Sequence, residues 1–325
     1  MNEFLTYAID KSKNIYCLRG IITKKNKLKA SLVYVNVKKS LADRYNPKGG
    51  FFYARRVLDT KLDNSYMGDL DKNTRAKINK YKVKNQNDFF LEVPLVEIKK
   101  TIPPMNLKKK YSSLSKEIKK FVDFLEIKGI PKSKMFLYGT EVLGLERLGK
   151  KKYKYPPDFD LAIVGLKYSE KLNQIKDQDF VKYTGYKRDK TIYSKYKGDN
   201  KFLLAKYRSK SKLAFILPKR KGRMIDIRFI RESPKRYMIK IPPGHSSLII
   251  SGKVLDDLEG PTMPAIYSVI TKKGKPITVI TDMFRYLGAA WKGDYVKARG
   301  YFIRKNNTLF VTKYDNYISP IKKPF

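Results

Sequence analysis

The stretch FLYGTEVLGLERLGKKKYKYPPDFDLAIVG, Phe136 to Gly165, decides how this chain is read. It holds a short apolar run, the pair Gly139-Thr140, a lysine-rich loop, and two aspartates at the mouth of a second apolar run. Asp158 and Asp160 stand two apart, so in a strand they share one face while Phe159 points to the other. Two carboxylates on one face repel unless a shared proton or a cation relieves them. A hard divalent ion, Mg²⁺ or Mn²⁺, is the natural relief, because it prefers carboxylate oxygens and brings phosphate-bearing groups with it.

Upstream, SSLSKEIKKFVDFLEIKGIP carries Leu114, Ile118, Phe121, Val122 and Leu125 at helical spacing, a single apolar stripe. Ser112 or Ser113 is placed to cap this helix, and Gly129 with Pro131 ends it. The strand KMFLYG follows, then a turn or helix start at TEVLGLERLG. Downstream, KLAFIL and RMIDIRFI flank the basic turn PKRKG and read as a β-hairpin. In its second strand Ile225 and Ile227 share one face, and Asp226 lies on the other with Met224 and Arg228. An acid between isoleucines is a third candidate ligand. A lone D-x-D is common by chance, and only the order of these parts gives it weight.

That order resembles the nucleotidyltransferase superfamily of the DNA polymerase β type: a glycine–hydroxyl pair opening a helix, D-x-D on the next strand, and a third acid on a later strand. Residues 112–232 cover the set. GIPKSKMFLYGTEVLGL and PPDFDLAIVG further resemble archaeal-type nucleotidyltransferases that carry flanking β-rich domains, and GDYVKARGYF with YDNYISP is similar to their tail. The resemblance implies that Gly139 and Thr140 bind the triphosphate of a nucleotide, the glycine allowing close approach and the helix start favouring the anion. It implies that Asp158, Asp160 and Asp226 are catalytic: Asp158 and Asp160 hold Mg²⁺ or Mn²⁺ against the phosphates, and Asp226 completes a second ion site or helps deprotonate the attacking hydroxyl, two ions clamping an in-line displacement at the α-phosphate. Two features depart from the family: threonine stands at 140 where serine is usual, and GKKKYKYPP lengthens the interval to Asp158. That surplus is either a surface insertion or a remodelled phosphate loop.

Around this core the chain changes texture. Residues 1–104 open with NIYCLRGIIT, KASLVYVNV and GFFYARRVL, pass through the polar segment TKLDNSYMGDLDKNTRAKINKYKVKNQ, and return to DFFLEVPLVEI. This reads as an N-terminal β-rich domain, and the prolines of TIPPMNLKKKY mark its end. Residues 105–235 form the expected nucleotidyltransferase domain. Residues 236–325 run through RYMIKI, SSLIISGKV, AIYSVIT, PITVIT, DYVKARGYFI and TLFVTKYDNYI at short intervals, the pattern of a small antiparallel, OB-like barrel. The expected class is α+β: a polymerase-β-like core between two β-rich domains.

Composition bears on partners. The chain has 325 residues, enough for two or three domains, and 42% hydrophobic residues, enough for a buried core. Its 72 Lys+Arg against 30 Asp+Glu give a formal charge of +42. AT-rich codon usage explains lysine over arginine but not the scarcity of acids. Self-repulsion on this scale disfavours the compact state, so a polyanionic partner is expected, RNA or DNA first, with a larger nucleoprotein assembly behind it. Lys150, Lys151, Lys152 and Lys154, interleaved with Tyr153 and Tyr155, and Arg220, Lys221 and Arg223 at the hairpin turn are the expected nucleic-acid contacts. Any lysine-rich surface produces such clusters too.

Other chemistries are disfavoured. One cysteine, Cys17, and one histidine, His245, leave no disulfide framework and no Cys/His zinc site within the chain. No apolar run reaches the ~20 residues of a membrane span and the start lacks signal-peptide order, so a cytoplasmic protein without a membrane partner is expected. Three functions stay open: nucleotide transfer to nucleic acid, a non-catalytic nucleic-acid-binding or ribonucleoprotein component that keeps the fold, and nucleotide transfer to a protein or small molecule.

Overall fold

In the computed structural model, the described residues are 5–23, 26–36, 51–53, 72–81, 90–143, 159–175, 180–182, 214–217, 223–232, 247–262, 264–281, 283, 286–312 and 316–321. Met1–Met105, Leu137–Lys154 and Ser233–Met238 group as one compact unit, and Asn106–Phe136, Tyr155–Glu232 and Ile239–Phe325 as a second. The chain mixes helices and strands, strands predominating, and contains a curled sheet and a closed five-stranded barrel.

The β-branched and aromatic runs of the first hundred residues form β1 (Tyr7–Asp10), β2 (Ile15–Thr23), β3 (Lys27–Asn36), β4 (Phe51–Tyr53), β5 (Phe90–Pro94) and β6 (Ile98–Ile102). Their order is β4-β3-β2-β1-β6, with β5 also on β3. The long β3 serves two neighbours along one edge, Lys27–Ser31 pairing with β5 and Tyr34–Asn36 with β4. Ala8, Tyr16, Leu32, Val35, Leu91 and Val93 fill the core. The polar segment holds a helix, α1 (Lys72–Tyr81). Asp10, fully buried, accepts hydrogen bonds from the Asn14 N–H (2.8 Å) and the Tyr16 hydroxyl (2.9 Å) and pairs with Lys77 of α1 (3.2 Å). Lys77 also pairs with Glu97 (2.9 Å), and Tyr81 at the end of the helix packs into the same core, so an ion-pair network and one buried ring fasten it.

The second sheet contains β7 (Met105–Asn106), β8 (Met135–Leu137), β9 (Phe159–Val164), β10 (Val181–Lys182), β11 (Ala214–Leu217) and β12 (Arg223–Ile230), in the order β10-β11-β12-β9-β8-β7. The expected hairpin is present: β11 and β12 pair antiparallel, Phe215 opposite Ile225. After the short α2 (Leu107–Lys110), the predicted stripe forms α3 (Lys116–Ile127), which buries Ile118, Phe121, Val122 and Leu125. The Phe121 ring meets those of Phe180 (5.0 Å) and Phe215 (5.2 Å), so α3 covers the sheet face that carries Ile225.

The cap of α3 differs from expectation. Its N-cap position is Ser115, without a side-chain capping bond. Ser112 and Ser113 belong to a preceding 3₁₀ turn, where the Ser113 hydroxyl donates to the Lys110 carbonyl (2.9 Å), and so stand before the helix start instead of at it. The other end is as predicted. The Ile130 N–H reaches the Leu125 carbonyl and the Gly129 N–H that of Glu126, with Gly129 at φ 82°, a left-handed stop that favours glycine. The remaining helices are α4 (Thr140–Leu143), grouped with the first unit, and α5 (Lys167–Gln174).

The third sheet is the barrel: β13 (Ser247–Asp256), β14 (Ala265–Thr271), β15 (Pro276–Thr281), β16 (Tyr295–Ile303), β17 (Thr308–Val311) and β18 (Tyr317–Ile321). The order β13-β14-β15-β17-β16 closes through the pairing of β16 with β13, and β18 extends β16. β15 and β17 run parallel and the other pairs antiparallel. TLFVTKYDNYI, read as one run, is therefore two strands, β17 and β18, either side of residues 312–316. Alternation fills the interior with Val254, Tyr267, Val269, Val279, Val296, Ala298 and Leu309. The β15–β16 connection plugs one end with Met283, Tyr286 and Leu287. The buried Tyr267 hydroxyl donates to the Tyr286 carbonyl and accepts from the Ala289 N–H, which spares the plug an unmet polar group.

Candidate active site

β9 and β12 lie side by side and run parallel, with a register that pairs Ile225 with Phe159, Asp226 with Asp160, Ile227 with Leu161 and Arg228 with Ala162. Paired residues of adjacent strands share a face. The isoleucines, Phe159 and Leu161 are buried beneath α3, and Asp160, Asp226 and Arg228 occupy the opposite face, half-buried. Strands sit about 4.8 Å apart, so the two carboxylate-bearing backbones are as close as sheet geometry allows. Arg228 Nη2 donates to Asp226 Oδ2 at 2.5 Å, and Ala162 opposite it leaves room for the guanidinium. Strand alternation alone puts Arg228 on the acids' face; the ion pair is what the fold adds.

The remaining expected residues are placed as follows. Gly139 is buried at φ 78° in the turn between β8 and α4, a conformation that favours glycine, and its N–H donates to the Tyr7 hydroxyl (2.9 Å). Nothing in the sequence signals that bond, which joins positions more than a hundred residues apart. Thr140 opens α4, which is a single turn. Gly139 and Thr140 group with the first compact unit, and Asp160 and Asp226 with the second. Arg223 opens β12, its backbone opposite Leu217. Asp158, Lys150, Lys151, Lys152, Lys154, Arg220 and Lys221 lie outside the described residues.

Asp160 and Asp226 offer hard carboxylate oxygens from adjacent strands, a donor set that suits a cation such as Mg²⁺ and not a soft metal. Among the described residues no group of three or more His, Cys, Asp or Glu gathers. Cys17 is buried and unbridged. Among the described residues no helix is long and apolar enough to cross a membrane. Compared with protein-family models, curated proteins and solved structures, the chain finds no match in any of the three.

Proposed function

We propose that this protein is a metal-dependent nucleotidyltransferase that moves a nucleoside monophosphate from a nucleoside triphosphate to an acceptor, with nucleic acid as the acceptor class. One observation carries the reading: two acids far apart in the chain, Asp160 and Asp226, are register partners on one face of a parallel strand pair, the face opposite α3. A routine solvated acid needs no such partner, and two carboxylates held together invite a cation.

The fold around them supports the same reading. Helix α3, strand β8, the Gly139 turn and strand β9 follow the order of a polymerase-β-like core, and the parallel β12 brings in the later acid. The closing five-stranded barrel has the make-up of an OB-like domain. Asp160 and Asp226, with Asp158, would hold Mg²⁺ or Mn²⁺. Bound there, the ion supplies charge neutralisation for phosphate oxygens and lowers the pKa of an attacking hydroxyl. The chain's own part is to hold the acids in register, to back them with the dry layer of Ile225, Ile227 and Leu161, and to balance Asp226 with Arg228 until an ion or phosphate arrives. A nucleotide phosphate that used the Gly139 N–H would displace the Tyr7 hydroxyl from it.

The Arg228–Asp226 pair also favours a second reading, a nucleic-acid-binding component that keeps the fold without turnover, since an internal cation can do part of a metal's work. One experiment separates them. Each labelled nucleoside triphosphate is supplied with Mg²⁺ or Mn²⁺ and a pool of RNA, DNA and protein, with Asp160→Asn/Asp226→Asn as control. Label reaching nucleic acid only with the intact acids supports transfer. Label on protein redirects the acceptor, and no label with retained RNA binding supports the second reading.

A further inference from the structure

The barrel is electrically polarised along its axis. The β13–β14 and β15–β16 connections, with the ends of strands adjoining them, carry Asp256, Asp257, Glu259 and Asp294, all the described acids from residue 247 onward. The opposite end is formed by the β14–β15 turn with Lys272, Lys273 and Lys275, and by the β16–β17 turn with Arg304 and Lys305, all exposed. The two turns are neighbours: the Thr278 N–H donates to the Asn307 carbonyl (3.0 Å), and the Asn307 side chain donates to the Pro276 carbonyl. Among the described residues, Lys273, Lys275, Arg304 and Lys305 form no ion pair.

From that basic end a track climbs the outside of β16. Val296 and Ala298 point into the core, and a Cβ on Gly300 would meet the Phe310 carbonyl oxygen at 2.3 Å, so the even positions are committed inward. The odd positions, Tyr295, Lys297, Arg299 and Tyr301, therefore lie on the other face and are half-buried, with the buried Ser319 and Tyr317 of β18 opposite Lys297 and Arg299. On the adjoining β13 their partners are Lys253, Ser251, Ile249 and Ser247, all exposed. Alternate residues of a strand repeat at about 6.8 Å, so Lys297 and Arg299 form a ladder of cations flanked by two tyrosines.

We propose that the Lys272–Lys275 and Arg304–Lys305 turns, continued along Arg299 and Lys297 of β16, bind a single strand of nucleic acid, with Tyr301 as a stacking surface. Clustered cations call for a polyanion, and the interleaved tyrosines select one with flat bases. OB-type barrels engage nucleic acid through their second and third strands and the loops after the first and fourth strands. Here the first of these loops holds Asp256, Asp257 and Glu259, which repel phosphate, and the cations gather at the end formed by the second, the β16–β17 turn, and the β14–β15 turn beside it. The site deepens the acceptor side of the proposed function, on which its partner class rests, but needs neither metal nor nucleotide.

The test uses the full chain in EDTA without nucleoside triphosphate, and reads the anisotropy of short fluorescent mixed-sequence oligonucleotides against salt. The variant Lys273→Ala/Lys275→Ala/Arg304→Ala/Lys305→Ala changes only exposed turn positions. It is expected to lose about tenfold or more in affinity for single strands and to flatten the log–log salt slope by about 2.8, at roughly 0.7 per phosphate contact. Tyr301→Leu is expected to weaken binding several-fold without altering the slope. RNA and DNA strands run in parallel show which sugar is preferred. An unchanged affinity and slope in the fourfold variant overturns the proposal. So does equal binding of duplex, or tighter binding of phosphatidylserine vesicles than of oligonucleotide. Failure of nucleotide transfer with this binding intact counts against the catalytic reading alone.

Discussion

Asp226 of β12 stands directly opposite Asp160 of β9 in a parallel register, on the sheet face that α3 does not cover. Asp160→Asn and Asp226→Asn each keep the side-chain volume and remove one charge. If the pair holds a divalent ion, each is expected to lower nucleotide transfer about a hundredfold or more. Single-turnover assays with labelled nucleotide measure this, and circular dichroism should show the fold retained.

Arg228 donates to Asp226 within the same strand face. Arg228→Gln leaves two neighbouring carboxylates without that cation and is expected to cost about 2 kcal/mol of stability in metal-free buffer. Mg²⁺ or Mn²⁺ should then raise the melting temperature of the variant more than that of the unaltered chain. Thermal scans with and without the ion check this, and equal responses would argue against an ion beside Asp226.

Asp10 is fully buried and depends on Lys77, Tyr16 and Asn14. Burial pulls the Lys77 amine down, but its bond to Glu97 and the charge of Asp10 outweigh this and hold it above the usual lysine range. Burial, then Asp10, pushes the Tyr16 hydroxyl up, so it stays a donor. Lys77→Met strands the Asp10 charge and is expected to cost about 3 kcal/mol in urea unfolding, whereas Asp10→Asn/Lys77→Met should cost less than the two single changes added.

Lys132 bonds both Asp123 and Glu126 at 2.7 Å, and its charge lies 4.2 Å from the centre of the Tyr111 ring. Its bonds hold both carboxyls below their usual range, and in return their carboxylates hold the amine above its own. The two acids therefore contribute stability that is present above about pH 4 and lost as pH falls through their lowered values. The lysine's share persists below about pH 10.4 and is lost above its raised value. Lys132→Met should flatten the acid limb of a stability–pH curve, as measured by denaturant unfolding at stepped pH.

Arg231, almost wholly buried, donates through Nε to Glu259 at 2.5 Å, and Phe229 bridges Thr262 beside it. This ties the end of β12 to the first connection of the barrel. Glu259→Gln leaves a buried guanidinium with a weaker partner, and the expected loss is about 3 kcal/mol. Unfolding followed by tryptophan fluorescence at Trp291 and by far-ultraviolet dichroism should separate into two steps as the barrel uncouples.

Local pattern made several of these features readable from sequence. The helical stripe of α3, the β11–β12 hairpin and the alternating strands of the barrel each repeat a burial signal at their own period, and each is found where that signal lies. Alternation also put Asp226 on the face opposite Ile225 and Ile227. What alternation cannot supply is pairing between distant strands. The parallel register that sets Asp226 against Asp160 comes from the tertiary fold, as does the Tyr7–Gly139 bond. Helix α1 is hidden because it is held by Lys77 reaching Asp10 and Glu97 and by the single buried ring of Tyr81, an attachment that leaves no apolar period. The helix starts after Ser115 because Ser112 and Ser113 are taken up in the preceding 3₁₀ turn.

Between Val164, where β9 ends, and Arg223, where β12 begins, the chain must travel out and return before the two carboxylates can meet. Closing so large a loop carries an entropic cost that local helices and hairpins do not share, and non-local pairings of this kind form slowly. On a ribosome, a chain that has emerged only through β9 has half of the acid pair, so competence arrives with the later strand and not before it.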